Sequence, residues 1–572
     1  MKRPVIEFEN YSYQYRSQKE PTVKDINLTI YEGERVIIVG PSGCGKSTLA
    51  HCLNGLNPFS YSGKCTGSLK IFGHDTRDLG IFGLSQYVGT VLQDTDGQFI
   101  GMTVMEDIAF AMENDLVGLE ELKERTLEEA KKVHLLEKIE SAPHALSGGQ
   151  KQRVSLAGVL VNRVPILLFD EPLANLDPAT GKEAIELIDE IQKKTNTTVV
   201  IIEHRLEDAL WMGADRIILM EKGGITVDAP VNRLLSHDYL KKAGIRESLY
   251  ITALKYASVE LNEEMNLTRA KYLSLTEEQK EQIRHWFHEI KIEGKKKRKK
   301  ELLRVENISF GYEEGKPTIS EINFSVKKGE IISIVGKNGA GKSTLAKLLC
   351  GFEKQHKGKI YLDGRDISED GIKKRASFIG YVMQNPNQMI TKPLLFDEVA
   401  LALRQAGVSE KETEERVHRI LKICGLYQFR NWPISALSYG QKKRVTIAGI
   451  LVQDPQIIIL DEPTAGQDYR HYTEIMRFLS SLNERGITII MITHDMHLML
   501  EYTDRCLVFA EGSLIADMVP EELFSDEELL RKANLKETSL FTLAQICGLP
   551  EKEFIRTFID KERQTEGKER EQ

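Results

Sequence analysis

Short apolar runs alternate with amphipathic segments of helix length along most of this chain of 572 residues. The runs RVIIVG and VPILLFD, which end at Gly40 and Asp170, have the length of buried strands. Strands that alternate with helices are typical of an α/β domain with a mainly parallel sheet. The hydrophobic pattern therefore predicts this fold class in both halves of the chain.

The same series of segments occurs twice along the chain. GPSGCGKST at 40–48 recurs as GKNGAGKST at 336–344, and LSGGQ at 146–150 recurs as LSYGQ at 437–441, in the same order. A chain of this length is too long for one core, so the duplication predicts two near-equal domains. The predicted boundaries are 1–240 for the first domain, 241–300 for a charged and partly helical extension and linker, 301–540 for the second domain and 541–572 for a charged tail.

The connecting segment and the tail are richer in charge than the two domains. The stretch TEEQKEQIRHWFHEI at 276–290 is predicted to be a helix, and it precedes the basic run KKKRKK at 295–300. A solvated flexible linker is the favoured interpretation of the basic run, while contact with phosphate backbones or with anionic lipid stays open. The tail after Pro550 is predicted to be a solvated or frayed helix.

Composition and charge exclude several classes of protein. A chain with 41% hydrophobic and 28% charged residues is neither collagen-like, nor wholly disordered, nor a disulfide scaffold. The net charge of −8 argues against nucleic-acid binding spread over the surface. The seven widely spaced cysteines are expected to be free thiols in a reducing compartment. We find neither a signal peptide nor an apolar run near the roughly 20 residues of a membrane span, so other subunits would supply any span.

The two glycine-rich loops give the clearest chemical signal. Both match GxxxxGK[ST] and lie between an apolar strand-like run and a predicted helix, as a phosphate-binding loop requires. Lys46 and Lys342 would reach the outer phosphates, and the serine after each lysine would ligate Mg²⁺. A chance glycine-rich turn becomes negligible because the match occurs twice. The predicted nucleotide-binding residues of the loops are Gly40, Pro41, Ser42, Gly43, Cys44, Gly45, Lys46, Ser47, Thr48, Gly336, Lys337, Asn338, Gly339, Ala340, Gly341, Lys342, Ser343 and Thr344.

A pair of carboxylates follows a later strand in each half. ILLFDE ends in Asp170 and Glu171, and IIILDE ends in Asp461 and Glu462. The aspartate of each pair can hold Mg²⁺ through water, and the glutamate can polarise the attacking water. The alternative is that these are solvated carboxylates at a strand end. This alternative is less favoured, because both pairs follow a glycine loop.

With these residues and the LSGGQ-type elements, nearly all of both halves resembles the ATP-binding cassette (ABC) ATPases. The resemblance implies two tandem P-loop ABC ATPase domains, each with a mainly parallel sheet, an antiparallel β subdomain and a helical signature subdomain. It also implies ATP and Mg²⁺ as cofactors, and two cassettes that pair within one chain so that each signature closes on nucleotide held by the other.

Further site residues carry over from the family position by position. Core packing explains the tyrosines about as well as adenine stacking does, because YSYQY offers three aromatic side chains. The implied residues are Ser147, Gly148, Gly149, Gln150, Ser438, Gly440 and Gln441 in the signatures; Gln93 and Gln384 in the Q-loops; Asp177 and Asp468 in the D-loops; and Tyr15 and Tyr312 against adenine. The implied catalytic residues are Glu171, His204, Glu462 and His494, and the implied Mg²⁺ ligands are Ser47, Gln93, Asp170, Ser343, Gln384 and Asp461.

The second signature departs from the family pattern, since Tyr439 replaces the first of the two glycines. A side chain there would crowd the composite site formed with the first glycine loop. We therefore hypothesise functional asymmetry, with the site of Lys342 and Ser147 at least as active as the site of Lys46 and Ser438. Both sites keep the glutamate and the histidine, so both are expected to hydrolyse ATP.

The surroundings of the Q-loops favour transport. QDTDGQFIGMTVMEDIAF begins with Q-D-x-x-x-Q and QNPNQMITKPLLFDEVAL with Q-N-x-x-Q, and both continue to an acidic residue and an apolar pair. This pattern resembles the ATPase components of energy-coupling-factor (ECF) importers. Fusion of both ATPases resembles the double-ATPase component of systems for thiamine or its hydroxymethylpyrimidine precursor. The resemblance implies a transmembrane coupling subunit docked along 99–110 and 389–401, a small membrane substrate-binding subunit, and a peripheral location at the cytoplasmic face of the cell membrane. No residue identifies the substrate, so a vitamin, a precursor or a metal ion stays possible.

A soluble twin-cassette ATPase that acts on ribosomes or RNA is the alternative function. The basic run is the best support for it, since translation-type twin cassettes carry a charged linker that touches RNA. The segments that follow His204 and His494 and the surroundings of the Q-loops fit that class poorly, so no nucleic-acid partner is favoured.

Overall fold

The computed structural model describes residues 2–92, 96–174, 176–290, 300–313, 315–465 and 467–571. The chain divides into two compact units. The first unit comprises Met1–Glu289, Gln467–Arg470 and Thr542–Leu549, and the second comprises Ile290–Gly466, His471–Phe541 and Pro550–Gln572.

The strands of the first half form two sheets. The strands are β1 (Pro4–Tyr15), β2 (Val23–Tyr31), β3 (Arg35–Val39), β4 (Gly63–Ile71), β5 (His74–Asp75), β6 (Val88–Val91), β7 (Ile166–Asp170), β8 (Thr198–Ile202), β9 (Arg216–Glu221) and β10 (Gly224–Pro230). The larger sheet has the order β10-β9-β3-β8-β7-β6, in which β10 pairs antiparallel with β9 and the other neighbours pair in parallel. The smaller, antiparallel sheet has the order β2-β1-β4-β5.

Helices connect these strands and continue beyond β10. They are α1 (Lys46–Leu53), α2 (Leu56–Phe59), α3 (Thr76–Ser85), α4 (Val104–Asn114), α5 (Leu119–Lys132), α6 (Gly148–Leu160), α7 (Pro178–Thr195), α8 (Leu206–Ala209), α9 (Val231–Leu235), α10 (Tyr239–Lys242), α11 (Leu249–Tyr256) and α12 (Glu277–Glu289). Helices α4, α5 and α6 pack on one another and form the helical region that carries the first signature.

The second half repeats this arrangement. Its strands are β11 (Glu301–Phe310), β12 (Ile319–Lys327), β13 (Ile331–Gly336), β14 (Lys357–Leu362), β15 (Arg365–Asp366), β16 (Ile379–Val382), β17 (Ile457–Asp461), β18 (Thr488–Ile492), β19 (Arg505–Ala510) and β20 (Ser513–Met518). The larger sheet has the order β16-β17-β18-β13-β19-β20 and the smaller β12-β11-β14-β15. Strand β20 is the antiparallel edge strand of an otherwise parallel sheet.

The helices of the second half follow the same order and end in a longer tail. They are α13 (Lys342–Cys350), α14 (Ile372–Arg375), α15 (Leu395–Gln405), α16 (Glu410–Ile423), α17 (Tyr439–Leu451), α18 (Tyr469–Glu484), α19 (Met496–Tyr502), α20 (Pro520–Leu523), α21 (Glu527–Lys532), α22 (Ser539–Cys547) and α23 (Glu551–Glu571). Helices α15, α16 and α17 form the second helical region.

The central strands of the first large sheet are buried along their whole length, and those of the second are buried except at the first residue of β13 and the last residue of β17, because helices cover both faces of a parallel sheet. Ile202 of β8 pairs with both Ile38 of β3 and Asp170 of β7, and the corresponding three strands of the second half keep the same register. The carboxyl ends of these strands therefore meet at one edge of the sheet, where ligands bind in open α/β folds. The predicted fold class is confirmed in both halves.

The predicted helix of the connecting segment is present as α12, and it buries Ile283 and Trp286. The tail is also helical, but the expectation of a solvated tail is wrong for the first half of α23. Phe554 and Phe558 lie four residues apart, so they share one helix face, and both are buried. The abundance of charged residues in the tail hid this apolar face.

Most of the basic run, Lys295–Lys299, lies outside the described residues. Lys300 is described, and its ammonium forms an ion pair of 2.7 Å with Asp363. All seven cysteines are free. Among the helices of the described ranges, none combines the length and the apolar character needed to cross a membrane.

Candidate functional site

Each glycine loop connects the central strand of a large sheet to a helix, β3 to α1 and β13 to α13. Gly45 and Gly341 precede these helices with φ of 106° and 97°, in the left-handed region that favours glycine. A Cβ atom would lie 2.9 Å from the Thr22 carbonyl oxygen at the first position and 2.3 Å from Ile319 Cγ2 at the second. The tight turn places loop amides beside a helix N-terminus, an arrangement that suits phosphate.

The loop lysines are buried at the centre of their own loops. Lys46 Nζ donates to the carbonyls of the first two loop residues at 2.8 and 3.0 Å. Lys342 Nζ makes the same two bonds at 2.7 and 2.9 Å. The carbonyls hold both ammonium groups where a phosphate bound by the loop amides would meet them.

A hydroxyl and a carboxylate lie together beside each loop. Ser47 Oγ is 3.5 Å from Asp170 Oδ1, and Ser343 Oγ is 3.3 Å from Asp461 Oδ2. These hard oxygen donors fit Mg²⁺, which takes one or two carboxylates together with substrate phosphates. No cluster of three or more His, Cys, Asp or Glu side chains that could hold a metal ion occurs within the described residues.

Burial raises the pKa of Asp170 to about 6, and the neighbouring charge of Glu171 adds to this. Burial likewise raises the pKa of Asp461. Burial also works to raise the pKa of Glu171, but the hydrogen bond and charge of His204 outweigh it, and the pKa is lowered. The two neighbouring carboxylates of the first site therefore differ: contact with His204 lowers the pKa of Glu171, whereas the pKa of Asp170 is raised and a bound cation would lower it.

Each catalytic glutamate candidate contacts the histidine at the end of the next strand. His204 Nε2 lies 2.9 Å from Glu171 Oε1, whereas His494 Nδ1 lies 2.7 Å from Glu462 Oε1. Glu171 and Glu462 have φ of 52° and 44°, a strained conformation for a residue with a side chain. The N–H of each donates to the last residue of the neighbouring strand at 2.9 Å, which helps to hold this turn.

Each signature lies at the start of a helix. Ser147 caps α6 and Ser438 caps α17, and in both cases the glutamine three residues later completes a capping box. The serine hydroxyl, the following N–H groups and the positive end of the helix dipole then lie together, which suits an anion. At Gly149 a Cβ atom would come within 2.2 Å of Thr180 Cγ2, so a side chain has no room there.

The remaining loop residues differ in how much the structure describes. Gln93 lies outside the described residues, while Gln384 is exposed just after β16. Asp177 caps α7 by accepting from the Thr180 N–H at 2.9 Å. Asp468 belongs to the segment grouped with the first unit, and it accepts from the Ser42 N–H at 2.7 Å.

The aromatic candidates for adenine stacking differ in their surroundings. Tyr13 is fully buried, while Tyr15 is part-exposed with its hydroxyl 3.3 Å from Thr48 Oγ1 of the glycine loop. Tyr312 is exposed, and Lys347 Nζ lies 5.7 Å from its ring centroid. Core packing therefore accounts for Tyr13, and the adenine role of Tyr15 and Tyr312 stays a prediction.

Sequence reasoning missed several residues that support the site. Tyr381 donates its hydroxyl to Asp461 Oδ2 at 2.8 Å, and Lys443 Nζ donates to the Gln384 carbonyl at 2.8 Å. In the first half, the buried Glu203 accepts from the N–H of His204 at 2.7 Å. A position-by-position comparison of the halves gives the signal for the first two, because Thr90 and Gln152 stand at their places in the first half.

Comparison with known proteins agrees with this geometry. A family model described as "ABC transporter" matches residues 23–174 and 319–465, which contain both glycine loops, both signatures and both carboxylate pairs. A second family model, described as "ATP-binding cassette cobalt transporter", matches residues 237–310.

Curated relatives match almost the whole chain. A protein of Clostridium perfringens is 55% identical over 98% of this chain and 99% of its own length. A protein of Enterococcus faecalis is 56% identical over 96% of each chain. Both carry the name ABC transporter ATP-binding protein.

Among solved structures, cbiO1 from Clostridium perfringens, described as part of the ABC transporter complex cbiONQ, is 37% identical with a TM-score of 0.38. The match covers 43% of this chain and 98% of that one. From the family match and the full-length relatives, the chain belongs to the ABC transporter family, as a twin-cassette ATP-binding component that hydrolyses ATP.

Proposed function

We propose that this chain is the energy-coupling subunit of a membrane importer of ECF type, peripheral to the cytoplasmic face of the membrane. The observation that carries the proposal is the match of residues 237–310, outside the ATPase motifs, to the family described as an ATP-binding cassette cobalt transporter. That description favours a metal ion, whereas the fused cassettes resemble systems for thiamine or hydroxymethylpyrimidine. The transport test therefore compares both classes of substrate.

An exposed apolar surface near the first Q-loop supports docking of a transmembrane subunit. Ile100 and Met102 expose 64% and 81% of their surface, although α4 directly after them buries Val104 and Ile108 in its own core. Large apolar side chains that stay exposed beside a packed helix are typical of a surface that a partner covers. In the second half Leu394, just before α15, is also exposed.

Within each site, the chain's own residues have separable roles in the proposed mechanism. The loop amides and Lys46 or Lys342 bind the phosphates and neutralise their charge. Ser47 with Asp170, and Ser343 with Asp461, together with the Q-loop glutamines Gln93 and Gln384, would hold Mg²⁺. When bound, Mg²⁺ supplies further neutralisation of the transferred phosphoryl group.

The glutamate and histidine position the attacking water. Glu171 and Glu462 accept a proton or a hydrogen bond from this water, and the adjacent histidines hold each carboxylate in place. Because the pKa of Glu171 is lowered, this carboxylate is ready to accept at neutral pH. The histidines act mainly by orienting the glutamates.

Transport requires a conformational change driven by nucleotide. We infer from the family resemblance that the two cassettes pair within the chain, each signature completing the ATP site of the other. ATP that contacts both cassettes binds the closed state more tightly than the open one, which is the differential affinity a closing ligand needs. Hydrolysis removes this difference and allows reopening.

Purification of the tagged chain from its native membranes in mild detergent, followed by mass spectrometry, tests the proposal. We expect a polytopic subunit and a small, very hydrophobic subunit to co-purify. The variant Met102→Glu should weaken this recovery, while Leu127→Glu, which changes an exposed leucine of α5, should not. Recovery of ribosomal proteins without membrane subunits would contradict the importer function.

The co-purified complex, reconstituted in vesicles with internal ATP, then identifies the substrate class. Uptake of labelled cobalt is compared with uptake of thiamine and hydroxymethylpyrimidine. ATP-dependent uptake of either class supports the importer, and a complex that takes up neither class contradicts the proposed range of substrates.

A further inference from the structure

The second signature helix directs two donors at the Q-loop of its own unit. Tyr439 is the first residue of α17 and Lys443 lies four residues later, so both side chains share one face of the helix. The Tyr439 hydroxyl lies 3.3 Å from the Gln384 carbonyl oxygen, and Lys443 Nζ lies 2.8 Å from the same oxygen. The carbonyl of Gln384 is therefore bound from two positions one helical turn apart.

Lys443 is the stronger of the two anchors. The side chain is 1% exposed, and its ammonium also donates to the Met383 carbonyl at 3.0 Å. A buried ammonium is tolerated where hydrogen-bond acceptors satisfy it, and here consecutive main-chain carbonyls supply them. Burial lowers the pKa of Lys443, while the nearby carboxylates of Asp461 and Glu462 favour its charged form. The Q-loop main chain is thus tied to a rigid helix by a charge-assisted contact.

The first half has different residues at both positions. Gly148 stands where the second signature has Tyr439, and it has no side chain that could donate. Gln152 stands in the place of Lys443, and its Nε2 donates to the carbonyl of Pro172, the residue after the catalytic glutamate candidate. Tyr439 in the second signature and Lys443 just after it therefore both supply donors to the second Q-loop.

We propose that Lys443 and Tyr439 are positioning residues of the second ATPase site, which hold the main chain at Gln384 so that its side chain is presented to the Mg²⁺-nucleotide. This role rests on the proposed function of Gln384 as a Mg²⁺ ligand. Holding the main chain in advance lowers the ordering cost when nucleotide binds, because fewer backbone conformations must be given up. Tyr439 is thereby a functional replacement for a signature glycine.

The test uses the full-length chain and three variants. Lys443→Met keeps most of the side-chain volume and removes the ammonium donor, and Tyr439→Phe removes a single exposed hydroxyl. Lys442→Met is the matched control, because it removes a charge from the neighbouring position of the same helix, whose side chain is part-exposed. Lys443→Gln introduces the residue found in the first half and is expected to lie between the wild type and Lys443→Met.

Hydrogen–deuterium exchange of the nucleotide-free chain measures the restraint directly. In Lys443→Met we expect exchange of the peptide 379–390 to accelerate by about tenfold, with a smaller change in Tyr439→Phe and none in Lys442→Met. Exchange in α13 should be unchanged, which shows that the fold is intact. If Lys443→Met accelerates exchange in α13 as well, Tyr439→Phe and Lys443→Gln decide the result. Unchanged exchange at 379–390 in folded variants would overturn the proposal.

Binding of a fluorescent ATP analogue then distinguishes positioning of the Gln384 side chain from simple stabilisation of the loop. The measurement is made in a Lys46→Ala background, where the second site dominates binding, with Mg²⁺ and with a chelator. We expect the gain in affinity on adding Mg²⁺ to shrink by about tenfold in Lys443→Met, while the affinity in chelator is unchanged. Faster exchange together with an unaltered gain in affinity on adding Mg²⁺ would mean that the contact only stabilises the loop and does not position Gln384. That result would overturn the proposal.

Gln384→Ala distinguishes failure of this inference from failure of the proposed site. If Gln384→Ala leaves the Mg²⁺ gain unchanged, Gln384 is not a Mg²⁺ ligand, and both the proposed ligand set and the positioning role are wrong. If Gln384→Ala removes the gain and Lys443→Met does not, the ligand assignment holds and the positioning role alone is wrong.

Discussion

The two candidate ATPase sites of this chain share the residues that we propose to react and differ in the residues behind them. In both sites the lysine binds two loop carbonyls, and the serine lies beside the aspartate. Asp461 also accepts a hydrogen bond from Tyr381, whereas Thr90, at the corresponding position, accepts from the Asn54 side chain instead. The duplicated halves therefore keep the groups that we propose to bind nucleotide, while the residues that support these groups differ.

His204 and His494, the histidines beside the candidate catalytic glutamates, show the same divergence. His204 approaches its glutamate through Nε2 and His494 through Nδ1. The preceding residue also differs: Glu203 accepts from two following N–H groups, whereas Thr493 accepts from the N–H of Asp495. Equal motifs therefore do not impose equal geometry, because the orientation of a histidine side chain also depends on neighbours outside the motif.

Removal of either loop lysine is expected to have the largest effect. Lys46→Ala and Lys342→Ala should each reduce hydrolysis at the altered site by about 1,000-fold, because the preorganised positive charge that neutralises the phosphates is lost. Single-turnover ATPase measurements with the other site disabled would give each value. Lys271→Ala, which changes an exposed lysine, is the control. If either lysine variant retained full hydrolysis at its altered site, that lysine would not be needed for hydrolysis there, and the prediction would be wrong for that site.

Histidine substitutions sharpen the comparison of orientations. His204→Ala and His494→Ala should each cost about 100-fold in hydrolysis at their own site, as expected for loss of a group that orients a general base. The amide nitrogen of Gln lies near the position of Nε2, and that of Asn near Nδ1. We therefore expect Gln to restore more activity at 204 and Asn to restore more at 494. The same rank order at both positions in single-turnover assays would break this part of the account.

A third difference concerns stability. Leu84 and Arg375 pack against corresponding glycines, Gly55 and Gly351, but the Arg375 guanidinium also donates to four main-chain carbonyls. Arg375→Leu introduces the residue of the first half and removes all four of these bonds, although the Leu348 carbonyl still accepts from the Gly351 N–H and the Ser368 carbonyl from Gln355 Nε2. It should lower the free energy of unfolding by about 2 kcal/mol.

Urea unfolding measures this change, with Lys373→Leu as the exposed control from the same helix. An Arg375→Leu chain as stable as the control would mean that the two ways of filling this position are equivalent.

The smallest effect is expected at Tyr381. Tyr381→Phe removes the hydrogen bond to Asp461, worth about 1 kcal/mol, and should raise the Mg²⁺ concentration for half-maximal hydrolysis at the second site by about fivefold. Thr90→Val should leave the Mg²⁺ dependence of the first site unchanged. Equal changes in the Mg²⁺ dependence of both sites would contradict a supporting hydrogen bond that is specific to the second half.

The fold and the placement of the candidate site residues were predictable from the sequence because both follow from local patterns. A strand-like run before a glycine loop fixes the loop, and the carboxyl ends of neighbouring parallel strands must meet, which brings Asp170 and His204 to the same edge as Lys46. These constraints need no knowledge of packing. They account for the agreement between the predicted and the observed arrangement of strands and loops.

The supporting residues were not predictable because their bonds join segments far apart in the chain. Tyr381 contacts Asp461 across neighbouring strands, and Lys443 of helix α17 contacts the carbonyls of Met383 and Gln384 after β16. Periodicity reports the buried side of a segment and gives no partner for a buried polar group. The packed face of α23 was missed for another reason, since charged residues dominate its composition.

The most direct test of the central claim compares the steady-state ATPase rates of Glu171→Gln and Glu462→Gln in the same preparation. Each substitution removes the base of one site and leaves the other site intact. We expect a larger loss in Glu462→Gln, because Glu462 belongs to the site with the additional support and, by resemblance to the family, to the site completed by the signature with both glycines. Equal losses would contradict the hypothesis of functional asymmetry, and a larger loss in Glu171→Gln would reverse its direction.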